Sequence, residues 1–524
     1  MVFAPGAFFR LLRAGHVMLR EGVVTLLAPP DPPAGARLIL RAAAMMERSG
    51  ARQTEGAARL TRALEKLGPS YVKLGQFLAT RPDIVGPAVA AELTPLQDRL
   101  PAFSMDAAQS AIEDALDQPL AQVYQSFSDP VAAASIAQVH RAVIVDDVGT
   151  ERTVAVKILR PDVESRFARD VECFYLAARS VERFMPRTRR LRPIAVVDTL
   201  ARSVELEMDL RLEAAALSEM AENTADDPGF HVPGVDWTRS ARRVLTLDWV
   251  DGIKLSDLDG LEKAGIDFVA TSRNIIQSFL RHALRDGFFH ADMHQGNLFI
   301  DDTGRLVAVD FGIMGRLSPK ERRFLAEILY GFITRNYRRV AEVHFEAGYV
   351  PADQDVEMFA QALRAIGEPL QGHAAKDISM ARLLTQLFEV TELFNMHTQP
   401  QLILLQKTMV VVEGVARSLD PDLNMWTTAD PVVRAWIERH LGPAGQLEKA
   451  GDGISAIGRL VNELPDLADR AGRLSADMAQ MADTGLKLDP ETISAIGRAE
   501  ARQTRWGRIA LWVIAGAALV IALW

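Results

Sequence analysis

The spacing of apolar side chains divides the chain into a helical start, a short β-rich middle and a long helical remainder. Phe8, Phe9, Leu11, Leu12, Val17, Leu19 and Val23, interleaved with Arg10, Arg13 and Arg20, fit an amphipathic helix. Such a helix either lies on a membrane or docks on its own domain. The run Pro29-Pro30-Asp31-Pro32-Pro33 ends it. Arg37 to Leu67, rich in Ala, Leu, Arg and Glu, predicts a second helix, broken at Gly68-Pro69. In the stretch Ser70 to Asp83, Lys73 and Gln76 stand three apart, on one face of a helix. Phe103 to Phe127 predicts helix interrupted at Pro119.

The period then changes. Val131 to Val143 reads as a strand, a tight turn of small residues and a returning strand, and Val154 to Ile158 as the next strand. Pro161 to Arg183 and Pro193 to Asn223 predict helices. Arg243 to Val250 predicts a strand that ends in Asp251-Gly252, a hinge between a sheet lobe and a helical lobe. Ile266 to Arg285 predicts a helix that delivers the chain to a hairpin, in which Leu298 to Ile300 and Leu306 to Val309 flank the turn Asp301 to Gly304. Further helices are predicted near 320–347, 355–366, 378–394 and 400–418, and Leu447 to Arg505 reads as amphipathic helix with polar interruptions.

From Ile509 to Trp524 there is no charged side chain. As a helix this stretch measures roughly 24–28 Å, just under the hydrocarbon thickness of a bilayer. It predicts a single C-terminal transmembrane anchor, with Trp506, Trp512 and Trp524 at the interfaces and Arg502, Arg505 and Arg508 on the cytoplasmic side. The predicted plan is an N-terminal amphipathic segment (1–45), a helical extension (46–127), a sheet lobe (128–250), a helical lobe (251–440), an amphipathic region (441–505) and the anchor (506–524).

The 524 residues, 48% hydrophobic and 24% charged, suffice for a large core. The net charge of -9 argues against a general nucleic-acid binder. The single cysteine, Cys173, excludes an internal disulfide and any multi-cysteine metal site; its apolar helical context suits packing. The arginines of the first twenty residues, with no small-x-small site after them, do not make a signal peptide.

The chemistry concentrates between Gly287 and Gly312. His290-Ala291-Asp292, Asn297 and Asp310-Phe311-Gly312 follow one another on the predicted hairpin. Phosphoryl transfer needs these types in this order: one Asp near the attacking oxygen, and an Asn with a second Asp to hold the metal ions that neutralise a triphosphate. Lys157 ends the V-A-V-K run of a β-branched strand, where an ammonium is costly unless it meets an anion. That is the pattern of a phosphate-pairing lysine. Its partner is an acid on the helix to Asn223; Glu213 is a candidate, with Glu205, Glu207, Asp209 and Glu219 as rivals. The nucleotide-covering turn has no glycine from Val131 to Val148, so it must hold nucleotide differently from a glycine-rich loop. After Gly312 the chain runs directly toward a helix from Lys320, with no A-P-E and hence no ordinary platform for a peptide substrate. Nothing supports direct hydroxylation. No G-x-G-x-x-G follows a strand, and the kinase motif accounts for His290 and Asp292 more economically than an iron site that adds His294.

These residues together resemble the UbiB family, the atypical kinase-like ATPases of ubiquinone biosynthesis, over about residues 60 to 420. The most specific match is Lys73-Leu74-Gly75-Gln76, the family's K-x-G-Q motif. The others are the alanine-rich turn, Val154 to Lys157, Glu207-Met208-Asp209 with Glu213 after it, His290 to Asn297, and Asp310 to Gly312.

The resemblance implies an α+β, protein-kinase-like two-lobed fold with a helical N-terminal extension. It implies ATP (or ADP) and Mg2+ as ligands. Asp292, Lys157, Glu213, Lys73 and Gln76 would be catalytic. Ala132, Ala133, Ala134, Ser135, Ile136, Ala137, Gln138, Val139, Lys157, Glu207 and Asp209 would bind nucleotide, and Asn297 and Asp310 the metal. Lys157 would pair with Glu213, and the Lys73 helix would fold over the site with Lys73 facing Glu207 and Asp209.

The expected setting is the bacterial inner membrane, with cytoplasmic catalytic lobes, lipids, polyprenylphenol or quinone intermediates and other ubiquinone-pathway proteins as partners, and no nucleic acid. The expected activity is an ATPase or small-molecule kinase; the rivals are a protein kinase acting on pathway enzymes and a nucleotide-binding scaffold. Family members often end in two membrane segments, and this chain has room for one.

Overall fold

The computed structural model describes residues 5–26, 44–48, 56–79, 101–146, 149–184, 192–372, 393–396 and 400–442, with a few positions between these stretches. The chain divides into a unit of residues 1–437 and a second unit from Glu438 onward, and the sites described below lie in the first.

Ahead of the sheet run α1 (Pro5–Arg20), α2 (Gly56–Leu67), α3 (Pro69–Ala79) and α4 (Met105–Leu116), with short helical turns at Val23–Leu26 and Leu120–Val123. The antiparallel sheet follows in the order β1 (Ser126–Ala133), β2 (Ala137–Val145), β3 (Glu151–Leu159) and β5 (Val244–Asp248). Between β3 and β5 lie α5 (Val163–Phe184), α6 (Pro193–Glu207), α7 (Leu210–Asn223) and β4 (Phe230–His231). The sequence predicts one long helix over Pro193 to Asn223. The chain instead breaks at Met208-Asp209, where the Asp209 side chain accepts from the Arg211 amide and caps a new helix. A local side-chain bond there competes with helix continuation.

Period-2 alternation decides what β3 presents. Val154, Val156 and Ile158 point to one face and bury against Ala108 and Ile112 of α4. Lys157 therefore points to the other face, toward α7. β3 pairs with both β2 and β5, so this lysine sits on a central strand.

The second lobe is built on α8 (Phe268–Arg281). The chain then runs through β7 (Phe288–His290), β8 (Leu298–Asp301), β9 (Leu306–Ala308) and β10 (Met314–Arg316). β8 and β9 form the expected hairpin with Leu298 opposite Ala308, β6 (Gly252–Lys254) lies on its other edge, and β7 pairs with β10. Helices α9 (Pro319–Ile333), α10 (Tyr337–Glu346), α11 (Val356–Gly372), α12 (Pro400–Leu419) and α13 (Met425–Leu441) complete the described part. Ile275, Ile276, Phe279 and Leu280 of α8 bury in one core with Leu405, Val412, Val415 and Ala416 of α12. Cys173 is buried with its thiol 3.7 Å from the Tyr71 hydroxyl.

The protein-kinase-like α+β part of the expected fold stands, but its membrane-spanning end is corrected. Among the described residues no helix is long and apolar enough to cross a membrane. α12, at 20 residues, has the length but carries Lys407, Glu413 and Arg417. The segment 506–524, from which the transmembrane helix was expected, lies outside the described residues, as does most of the helix expected at 378–394.

Candidate active site

Lys157 is the meeting point of three elements. Its ammonium donates to both Glu213 carboxylate oxygens at 2.8 and 2.9 Å and to Asp310 Oδ1 at 3.0 Å. Only 16% of the Lys157 side chain and 7% of the Glu213 side chain are exposed. Burial alone would push this ammonium toward neutrality; Asp310 and Glu213 outweigh it and hold the lysine well above its ordinary range. Asp310 is held well below the carboxylate range. Burial pushes it up, and Lys157, then Lys73 and His290, bring it down. The Asp310 backbone is left-handed (φ 62°), a conformation that costs energy for a non-glycine residue and marks a place where the surroundings dictate the turn. Of the rival acids, Glu219 bonds Arg316 and Glu207 bonds Lys73.

The catalytic loop is fixed by its own histidine. His290 is buried. Its Nε2 donates to the Val309 carbonyl at 3.3 Å, its Nδ1 accepts from the Asp292 amide at 3.0 Å, and its ring meets Phe311 edge-on at 4.9 Å. Both nitrogens are committed, which leaves none for a metal. Asp292 remains accessible, with 34% of its side chain exposed, and His294 Nε2 stands 3.7 Å from it. Asn297 donates its amide to the Asp292 carbonyl at 3.2 Å, leaving its Oδ1 available. Asn297 Oδ1 and the Asp310 carboxylate are both oxygen donors, the type that a hard cation such as Mg2+ takes.

The alanine-rich turn is pinned. The Arg160 guanidinium donates to the Ala134 carbonyl at 2.8 and 3.0 Å, and the Arg160 amide to Ile136 at 2.8 Å. Ala132 is exposed and Ala133, Ala134 and Val139 are half-buried, whereas Ser135, Ile136, Ala137 and Gln138 are buried. The Gln138 side chain is taken up by the Phe103 amide (2.9 Å) and His140 Nε2 (2.8 Å). Its placement is structural.

α3 covers this site. Lys73 pairs with Glu207 at 2.6 Å, each side chain only 12% exposed. Gly75 lets the helix seat: a Cβ there would lie 2.7 Å from Leu64 and 2.9 Å from Leu96. Asp209 does not meet Lys73 in the described contacts; it is held by Arg211 at 2.7 and 2.9 Å. Gln76 is half-buried.

Sequence reasoning missed three contacts that no motif signals. First, Arg316 of β10 grips Glu219 of α7 at 2.7 and 2.5 Å and stacks over Phe288 at 4.3 Å, which ties the strand after Asp310-Phe311-Gly312 to the helix carrying Glu213. Two residues later Ser318 and Glu321 form a capping box and α9 begins, so the activation segment is replaced by helix. Second, the buried Thr408 hydroxyl of α12 bonds the Ala291 carbonyl at 3.1 Å. Third, Gln295 donates to Ser418 at 2.7 Å. Both place α12 directly behind the catalytic loop.

Known proteins match this arrangement. Residues 95–344 match the ABC1 atypical kinase-like domain and residues 363–424 the UbiB helical domain. A protein of Marinobacter nauticus described as "Probable protein kinase UbiB" is 38% identical over 472 residues, covering 88% of this chain and 84% of that protein. One of Xanthomonas campestris pv. campestris with the same description is 37% identical over 493 residues, 93% and 86% of the two chains. The complex structure of Rv3197–erythromycin from Mycobacterium tuberculosis aligns at 24% identity and a TM-score of 0.47, over 76% of this chain and 97% of that one, too weak a likeness to bear on the site. The identity shared with the curated relatives over most of their length, together with a kinase-like core and its helical domain in sequence order, places the chain in the UbiB family of atypical kinases.

Proposed function

We propose that this protein transfers the terminal phosphoryl group of Mg-ATP, to water or to a small hydroxyl acceptor, in support of ubiquinone biosynthesis. The observation that carries the reading is Lys157, a buried ammonium held between Glu213 and Asp310, in a chain whose Asp292 stays accessible. Lys157 orients the phosphates and Glu213 keeps it in place. Asp292 accepts the proton of the attacking oxygen as the new P–O bond forms; the bond to the bridging oxygen breaks and ADP leaves. Asn297 and Asp310 would hold Mg2+, which would supply neutralisation of the phosphate charge. The pinned alanine-rich turn replaces a flexible glycine lid.

A small acceptor or water is favoured over a protein because α3 covers the site and α9 replaces the peptide platform. The relatives' description as protein kinases keeps protein transfer as the second reading. Polyprenylated phenols are membrane-embedded, so the protein would work at a membrane surface. α1 suits that: it packs inward through Ala7 and Ala14 and leaves Phe8, Phe9 and Leu12 exposed beside its arginines.

The test is phosphate release from Mg-ATP, with and without liposomes and a phenolic quinone precursor, beside Asp310→Asn. Turnover that rises with lipid or phenol and vanishes in the variant is expected. Bound nucleotide without turnover under every condition would point instead to a scaffold, and phosphate on a pathway protein, lost in the variant, to a protein kinase.

A further inference from the structure

The charges around Asp292 do not balance. Lys157 is matched by Glu213 and Asp310, and Lys73 by Glu207. Lys407 on α12 is different: it is half-buried, and among the described residues no hydrogen bond or ion pair involves it. Its burial favours the neutral amine, and the one charge acting on it to restore the ammonium is Asp292. A desolvated lysine without a carboxylate in contact is costly unless an anion arrives to complete it.

Its position is held from both sides. The adjacent Thr408 is fully buried and bonds the carbonyl of Ala291, the residue before Asp292. Ser418 lies eleven residues on, three helical turns along the same face of α12, and accepts from Gln295 of the catalytic loop. Lys407 is thus carried on the face of α12 that touches the catalytic loop. The geometry points to Lys407 as a phosphate-binding residue that reads the terminal phosphoryl group of the nucleotide beside Asp292. Residues of the helical domain thereby complete the kinase-like site. This rests on the phosphoryl-transfer reading above and adds to it a residue outside every motif of the kinase-like core.

The test compares affinities of the full-length protein for Mg-ADP and for a non-hydrolysable Mg-ATP analogue, measured by calorimetry. In Lys407→Met the affinity for the ATP analogue should fall about 10- to 100-fold while that for ADP stays within two-fold. Lys407→Arg should restore most of the difference, because the cation and not the packing is being read. Equal losses for both nucleotides, or no loss for either, would overturn the assignment. If Lys407→Met does not fold, Lys407→Gln is read the same way. Failure of the unaltered protein to bind either nucleotide would defeat the phosphoryl-transfer reading itself, which separates that failure from this one.

Discussion

Glu207→Gln tests the cover over the site. Lys73 and Glu207 meet at 2.6 Å with side chains 12% exposed on each partner, so the pair is largely shielded from solvent and salt. Removing one partner of a buried pair outright costs about 3–5 kcal/mol, because the other charge is stranded. Glutamine still accepts a hydrogen bond from Lys73, so the loss is that of a charge-assisted bond, about 1.5–3 kcal/mol. It falls on α3 and not on the lobes, since the weakened bond joins Lys73 of α3 to Glu207 at the end of α6, while Lys157 keeps both Glu213 and Asp310. Amide exchange across residues 69–79 should therefore quicken about 10- to 100-fold, with the protection of β3 and α8 unchanged. The double variant Lys73→Met with Glu207→Leu should recover most of the protection, because apolar replacement of both partners removes the cost of burying two charges. Unchanged exchange across 69–79 in Glu207→Gln, or an equal loss everywhere, would refute the view that this pair fastens a cover.

Two further outcomes follow from the packing and the charges. Asp227 accepts from Arg285 at 2.7 and 3.0 Å, with His282 at 3.5 Å. Burial pushes this carboxyl up, but His282 and Arg285 hold it well below the ordinary range. A depressed folded pKa gives stability that is present above the unfolded value near 4 and is lost as pH falls through the folded one. Asp227→Asn should therefore lower the melting temperature at neutral pH, by about 1.5–3 kcal/mol in stability, and flatten its fall below about pH 4, as scanned by calorimetry. At Gly315 a Cβ would lie 2.1 Å from the buried Phe289 ring, so Gly315→Ala should cost about 1–3 kcal/mol in a denaturant melt through overpacking of the β7–β10 pair.

The placement of the kinase-like motif residues was legible because each is local to its own scaffold. Period 2 put Lys157 on the face of β3 opposite Val156, and the turn at Asp301 to Gly304 folded Asn297 and Asp310 to the same end of one hairpin. The break at Met208-Asp209 was not legible. Helical periodicity runs through it, and only the capping bond from Asp209 to the Arg211 amide decides that the helix restarts. That restart fixes the direction in which Glu213 points. The membrane-spanning end was inferred from hydropathy alone; among the described residues no helix meets the length and polarity it requires.

By itself the sequence determined the alternation of strands and helices, the order of the kinase-like motif residues and the absence of an A-P-E motif after Gly312. These depend on periodicity, turn chemistry and spacing over a few residues. Only the tertiary structure decided which acid meets Lys157, that Lys73 closes on Glu207, and that Thr408, Ser418 and Lys407 stand behind the catalytic loop. Those partners are separated by 56 to 134 residues in most cases, as with Lys157 and Glu213, so no local pattern records them. They are set by which apolar faces bury together, and the charges then take the neighbours that packing leaves them.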